Sequence, residues 1–267
     1  MKEIVINSRD NALVKRARAV RSRKLDGLIF VEGVRLCEEA LTASLPVEDV
    51  LCTERVTQDE RGARLLQSLG SVCERIALVS EQVFASVSDT KSPQGIALIA
   101  AEPQTGPQML INDEGKAPLI VVMHRINNPS NAGAILRTAE AAGATAAVTT
   151  AGSTDLFSPK ALRGAMGSSF RLPLWVSADF QEILDWCRQR EVRTVCADPK
   201  AARTFTEIDW TQPRALLVGA EAAGLSPEEI SAADEAVRIP MRAPVDSLNV
   251  AVASAIVLYE AARQRSN

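Results

Sequence analysis

The segment IPMRAPVDSLNVAVASAIVLYE, from Ile239 to Glu260, decides how the rest of the chain is read. An apolar strand end, IPM, gives way to a polar loop and then to Ser-Leu-Asn at the mouth of a helix. Ser247 and Asn249 have side chains that cap such a helix and can also face a ligand. Behind them Ala251, Ala253, Ser254 and Ala255 form a small-residue face that lets another helix approach closely. A strand end, a polar loop and a capped helix of small residues together describe the ligand-binding end of an α/β sheet.

Outward from this segment the same alternation recurs. LIVVM (119–123) is a continuous apolar run, which predicts a strand buried on both faces. The polar loop HRINNPSN leads into a helix over AGAILRTAEAA, stopped by Gly143 at a C′ position. AAVTT, FRLPLWV, VRTVCA and RALLV read as further strands, and FQEILDWCRQR reads as the helix between two of them. Ser158-Pro159 starts another helix as N-cap and N1, and Ser226-Pro-Glu-Glu229 is a capping box. The expectation is an α/β domain with a parallel sheet covered on both faces and loops at the strand C-termini.

The Pro-, Gly- and polar-rich stretch AEPQTGPQMLINDEGKAP reads as a linker, so the chain divides into residues 1–104, a linker at 105–117, and residues 118–267. The first part alternates strands and helices on a smaller scale and predicts a small α/β domain. Its opening helix is basic: Arg9, Lys15, Arg16, Arg18, Arg21, Arg23 and Lys24 stand against one acid, Asp10. Such a run can contact RNA phosphates or can be an ordinary solvated helix face.

Two motifs in the larger part bring together residues suited to chemistry. Asn131 stands at the mouth of the helix after LIVVM, where N–H groups lack partners. Arg137 is six residues further on, and its long side chain leans back toward that mouth, so the two are expected to converge on a phosphate or a ribose. In VGAEAAGLS, Gly219 and Gly224 permit close backbone approach and Glu221 lies between them. The spacing is not that of a dinucleotide fingerprint.

Bulk properties limit the alternatives. With 46% hydrophobic and 24% charged residues, the 267-residue chain has enough apolar content for a core. Aromatic residues are only 4%, too few for extensive base stacking, and a net charge of −3 requires any nucleic-acid contact to come from local patches. Five cysteines without a CxxC pair read as reduced, buried thiols, and a single histidine, His124, leaves no His-rich zinc site; no metal is expected. Glu221 and Asp246 pair with no histidine, so a Ser-His-Asp hydrolase lacks its base. With no apolar leader or spanning run, the reading is a cytoplasmic protein with no membrane partner.

The three segments NPSNAGAILRTAEAAGA, LLVGAEAAGLS and IPMRAPVDSLNVAVA resemble, in order and spacing, the three motifs of the SpoU (TrmH) RNA ribose methyltransferases. FVEGVRLCEEAL and DTKSPQGIALIA resemble the substrate-binding domain that many of them carry. The resemblance implies the SPOUT fold, in which the C-terminal segment threads a loop to make a deep trefoil knot, and a homodimer. It implies S-adenosylmethionine as cofactor, gripped by the backbone at Gly219, Ile239, Met241 and Leu248. Asn131, Arg137, Glu221, Ser247 and Asn249 would carry substrate and chemistry: methyl transfer to a ribose 2′-hydroxyl. RNA contact through Arg9, Lys15, Arg16, Arg18, Arg21 and Arg23 fits the same picture. Ribosomal RNA is favoured over tRNA, with a tRNA enzyme or a non-catalytic ribosome-assembly factor as alternatives. The chain departs from the family pattern at Ala222 and Ala243, where glycine is common, and at His124 and Asn128, where aspartate is common.

Overall fold

A computed structural model describes residues 4–110, 115 and 117–266. The chain forms two compact units: Met1–Pro103 with Phe157–Arg171, and Gln104–Leu156 with Leu172–Asn267. Four residues of the sequence-predicted linker, 107–110, form a short 3-10 helix, while 111–114 and 116 lie outside the described residues.

The smaller unit runs β1 (Ile4–Ile6), α1 (Ala12–Arg21), β2 (Leu28–Glu32), α2 (Val34–Thr42), β3 (Val47–Cys52), α3 (Glu54–Gln58), α4 (Glu60–Leu69), β4 (Ile76–Val79), α5 (Glu81–Val87) and β5 (Ile96–Ala101). Its sheet has the order β1-β4-β3-β5-β2, with β5 antiparallel to both its neighbours and the other pairs parallel. Val14, Ala17 and Val20 recur at helical spacing on α1 and enter a core with Phe30, Leu51, Phe84 and Ile99.

The larger unit begins with β6 (Leu119–Met123), α6 (Pro129–Ala141) and β7 (Ala146–Thr150). Then come α7 (Pro159–Ala165) and α8 (Ser168–Arg171), which lie inside Phe157–Arg171 and so belong to the smaller unit. Here the compact units depart from the division read in the sequence. The chain continues through β8 (Leu174–Ala178), α9 (Phe180–Gln189), β9 (Arg193–Ala197), β10 (Arg203–Thr204), β11 (Arg214–Val218), α10 (Pro227–Ala232), β12 (Glu235–Arg238) and α11 (Val250–Arg265). The seven strands pair in the order β10-β12-β9-β11-β6-β7-β8, and every pairing is parallel.

All five residues of β6 are buried, as a continuous apolar run requires. Ile120 and Val122 join a core with Val148, Trp175, Ile183, Leu184, Cys196 and Leu217. Three local expectations differ. FRL at 170–172 is not strand: Phe170 and Arg171 end α8, and β8 starts only at Leu174, after Pro173. The strand before the C-terminal loop is EAVR, which ends before Ile239. Helix α6 starts three residues earlier than expected, because Asn128-Pro129 supplies its cap and first residue.

All five cysteines are buried, and none is in a disulfide. Burial pushes the thiols of Cys187 and Cys196 up to about 12 and about 11, so both stay protonated near neutral pH.

Candidate active site

Because β6, β11, β9 and β12 are adjacent and parallel, the loops after β6, β11 and β12 leave from one edge of the sheet. The β6–β11 ladder continues one residue further, where the His124 N–H donates to the Val218 carbonyl at 2.8 Å. The loops His124–Asn128 and Gly219–Ser226 therefore start side by side.

The second loop doubles back on itself. The Gly224 N–H donates to the Ala220 carbonyl at 2.8 Å, and Gly224 adopts φ +65°. A methyl group on Gly219 would lie 2.3 Å from the carbonyl carbon of Gly224, so glycine is required there by the loop's own backbone. The close approach expected at Gly219 is thus made first by its own chain.

That turn carries Glu221 to the first loop. Its carboxylate accepts from the backbone N–H of Asn127 (3.1 Å) and Asn128 (3.0 Å) and from the Asn131 side-chain amide (3.1 Å). Burial pushes the Glu221 carboxyl up, but these donors outweigh it and hold it below the usual carboxylate range. An ionised carboxylate only accepts, so Asn131 turns its NH₂ to Glu221 and its oxygen outward. That oxygen accepts from the Asn249 amide at 3.2 Å. Asn249 in turn caps α11, its oxygen accepting from the N–H of Ala251 (2.9 Å) and Val252 (3.3 Å). One residue from each of three distant motifs thus shares a single polar line.

Asn131 lies inside the helix and not at the mouth where the sequence reading put it. Asn128 is the cap, accepting from Ser130 N–H at 2.9 Å, and Asn131 lies in the first turn. Nor does Arg137 fold back onto Asn131. Six residues are about one and two-thirds helical turns, so the two leave α6 on different sides. Arg137 is exposed and makes no hydrogen bond or ion pair with any described residue. Ser247 is exposed and donates weakly to Asp246, at 3.4 Å.

The loop between β12 and α11 holds Ile239, Met241 and Leu248. Ile239 and Met241 are half-buried and Leu248 is 38% exposed. Among the described residues its one internal backbone hydrogen bond runs from Val245 N–H to the Arg242 carbonyl. The amides of Ile239, Met241 and Leu248 are left available.

Sequence reasoning passed over a second clasp. His124, 2% exposed, places Nε2 at 2.9 Å from Glu229 Oε1 and its ring 4.6 Å from that of Phe180. Glu229 also accepts from Ser226 N–H at 2.8 Å, completing the predicted capping box at the end of the Glu221 loop. Burial lowers the His124 pKa more than Glu229 raises it, so the imidazole is neutral and its Nε2–H donates to the carboxylate. His124 thus joins the end of β6 to the cap of α10. The available signal was the pairing of a strand-end histidine with a capping-box glutamate.

The basic segment finds most of its partners within its own unit. Arg16 bonds to Glu48 and Asp49, Arg18 to Ser86 Oγ (2.7 Å), and Arg21 to the carbonyls of Val87 (3.1 Å) and Ser88 (2.7 Å). Arg23 reaches the Leu28 carbonyl and Glu102. These four half-buried guanidiniums, three on α1 and Arg23 just after it, tie that part of the chain to its own unit. Arg9 and Lys15 are exposed, Arg9 reaching the Gln82 carbonyl at 3.5 Å and Lys15 pairing with Asp10 at 3.3 Å.

Among the described residues no cluster of His, Cys, Asp or Glu is arranged to hold a metal ion, and no helix is long and apolar enough to cross a membrane.

Residues 118–259 match the SpoU rRNA methylase family, and residues 11–98 match the MRM3-like substrate-binding domain. An uncharacterized tRNA/rRNA methyltransferase of Synechocystis is 33% identical over 97% of this chain and 94% of its own. A 23S rRNA guanosine 2′-O-methyltransferase of Bacillus subtilis is 29% identical over 92% of each chain. The solved structure of the SpoU methyltransferase AviRb from Streptomyces viridochromogenes, in complex with AdoMet, superposes with a TM-score of 0.84 at 28% identity, over 96% of this chain and 99% of its own. With the three motifs joined at one sheet edge, the chain belongs to the SpoU family of RNA methyltransferases.

Proposed function

We propose that this protein methylates the 2′-hydroxyl of a ribose in RNA, using S-adenosylmethionine, and that its substrate is ribosomal RNA. The observation that carries the reading is the bonded line Glu221–Asn131–Asn249, which gathers three motifs at the edge where parallel sheets bind ligands. Relatives named as 23S rRNA 2′-O-methyltransferases, matched over 92% and 90% of the chain, favour ribosomal RNA. The tRNA enzymes of Thermus thermophilus match over 55% of it.

The residues present fit the cofactor. The Ile239–Leu248 loop offers free amide groups beside apolar side chains, which suits a flat base with a hydrogen-bonding edge. Gly219, Ile239, Met241 and Leu248 would hold it, largely through backbone. When bound, it supplies a methyl group already activated by a positively charged sulfur. The ribose oxygen gains that methyl group and gives up its proton. Arginine keeps its own proton near neutral pH, so Arg137 binds the 2′-hydroxyl or the adjoining phosphate, and the proton passes to a phosphate oxygen or water. Glu221 fixes Asn131, and Ser247 and Asn249 stand beside the substrate.

Residues 1–104 would serve as the substrate-binding domain and 118–267 as the methyltransferase domain. The reading also carries a homodimer, supported by Val252 and Tyr259, which are 49% and 56% exposed and seven residues apart on one face of α11. It carries the trefoil knot, supported by the return of the chain from β12 at one side of the sheet to α6. The reading also carries a cytoplasmic location, supported by the RNA substrates named for the relatives.

The test is transfer of labelled methyl groups from S-adenosylmethionine into unmodified ribosomal RNA and tRNA pools. Label in ribosomal RNA, in nucleotides that resist alkaline cleavage, is expected. Label on a base, or cofactor binding without transfer to RNA or to ribosomal particles, would overturn the reading.

A further inference from the structure

We propose that the smaller unit grips the RNA phosphate backbone through Arg35, Lys91 and Lys160, three cations ringing the C-terminal end of β2, and not through helix α1. The proposal rests on the RNA reading above.

Hydrogen bonds fix the positions of the three segments that carry these residues. Strand β2 ends at Glu32, which is buried, and Gly33 (φ +102°) turns the chain into α2, with Arg35 in its first turn. The loop before β5 lies across that end. Asp89 N–H (2.8 Å) and Thr90 Oγ1–H (3.0 Å) donate to the Glu32 carboxylate, and Gln94 Oε1 accepts from Val34 N–H at 2.9 Å. Lys91 stands between those anchors. On the other side Arg163 of α7 donates to Asp89 at 2.7 Å, and α7 packs on β2. Lys160 precedes Arg163 by three residues and shares its side of the helix.

Charge then decides what this surface can hold. Glu38, Glu39 and Asp89 are each paired with an arginine, Arg61, Arg171 and Arg163, while the buried Glu32 is held by the neutral donors Ser88, Thr90 and the Asp89 N–H. Arg35, Lys91 and Lys160 are exposed, and none makes a hydrogen bond or ion pair with any described residue. Arg35 also acts on Glu38, yet with Arg61, Arg163 and Arg171 the cations of this surface still outnumber Glu32, Glu38, Glu39 and Asp89, which makes it complementary to a polyanion. On α1 and just after it the opposite holds, because Arg16, Arg18 and Arg21, and then Arg23, are committed to partners. Helix α7 comes from the half of the sequence that carries the methylase motifs, so both halves contribute to one surface.

The experiment compares the full-length protein with the triple variant Arg35→Ala/Lys91→Ala/Lys160→Ala. Ribosomal RNA affinity is measured across a salt series, and methyl transfer is measured alongside. Each phosphate contact contributes about 0.7–0.9 to the slope of log affinity against log salt, so the triple variant should lose about 2 from it. Its KM for RNA should rise by a larger factor than its kcat falls. Lys160→Glu alone should lower the slope by about 1 with an unchanged thermal midpoint, which separates charge loss from misfolding. Wild-type protein that methylates RNA, with variants that keep its slope and KM, would overturn this surface and leave the function standing. Wild-type protein that neither binds nor methylates RNA would overturn both. Weakened capture of an acidic protein with an unchanged RNA slope would also count against the proposal.

Discussion

The side-chain amide of Asn249 donates to Asn131 across 118 positions of sequence, at 3.2 Å. Both residues have their orientation fixed: Glu221 holds the NH₂ of Asn131, and the first amides of α11 hold the oxygen of Asn249. Replacing Asn131 with Ala breaks the line at its centre while leaving Glu221 its two backbone donors. Activity should fall by about 10- to 100-fold through misplacement, with little change in thermal midpoint. Steady-state kinetics beside a melting curve check this. Asn131→Asp should be worse, because it sets a second carboxylate against Glu221.

Arg137→Ala should lower kcat by about 100-fold or more while leaving S-adenosylmethionine affinity intact. Arg137 is exposed and its side chain makes no hydrogen bond or ion pair with any described residue, so little of the loss should come from the fold. Calorimetric titration with the cofactor, set against single-turnover methyl transfer, separates the two effects. Lost cofactor binding with activity retained would refute the assignment.

The His124–Glu229 clasp predicts a pH dependence. The His124 pKa is lowered from 6.5, so the unfolded chain binds its proton more readily than the folded one. The stability this contributes is fully present above pH 6.5 and is lost as pH falls through the lower folded value. Burial pushes Glu229 up, but Ser226 N–H, His124 and Arg125 bring it below 4.5 overall, so a second loss follows below that pH. Denaturant melts between pH 5 and 8 should show stability falling on the acid side, and His124→Gln should remove most of the slope near pH 6.

Arg16→Ala should destabilise the smaller unit without touching RNA affinity directly. It leaves Asp49, which is fully buried, with Arg75 alone. Arg75 Nε sits 2.8 Å from Asp49 Oδ1 but off the line of a hydrogen bond, so Arg16 supplies the directed contact. A cost of about 1.5–3 kcal/mol is expected, read from urea unfolding.

Tyr259→Glu should separate the proposed dimer. A carboxylate in the middle of an apolar face costs association and leaves the exposed side of a monomer undisturbed. Sedimentation equilibrium reads the result directly, and an unchanged mass would place the interface elsewhere.

Much of this was legible because it depends on local pattern. LIVVM could hardly be anything but a doubly covered strand, and Ser226 to Glu229 could be read as a capping box before any coordinates. The three motifs could be assigned to one family, and the family match agrees. What the sequence hid was the destination of long polar side chains. A run of arginines has the same spelling whether it faces solvent or grips Asp49 and the Ser88 carbonyl. Partners tens of residues away decide which. Arg137 illustrates the converse: its reach toward Asn131 was sound for side-chain length but not for angle around the helix. Neither β1 nor β10, each three residues or fewer, leaves a periodic trace.

Phe157–Arg171 has a consequence for inheritance. Because this stretch packs with the smaller unit, the chain passes between units three times, at residues 103–104, 156–157 and 171–172. A single recombination near residue 105 would graft a foreign small domain onto helices shaped for another. Exchange of RNA specificity among relatives by such a crossover must therefore carry α7 and α8 along, or rebuild their contacts with β2, Asp89 and Glu39.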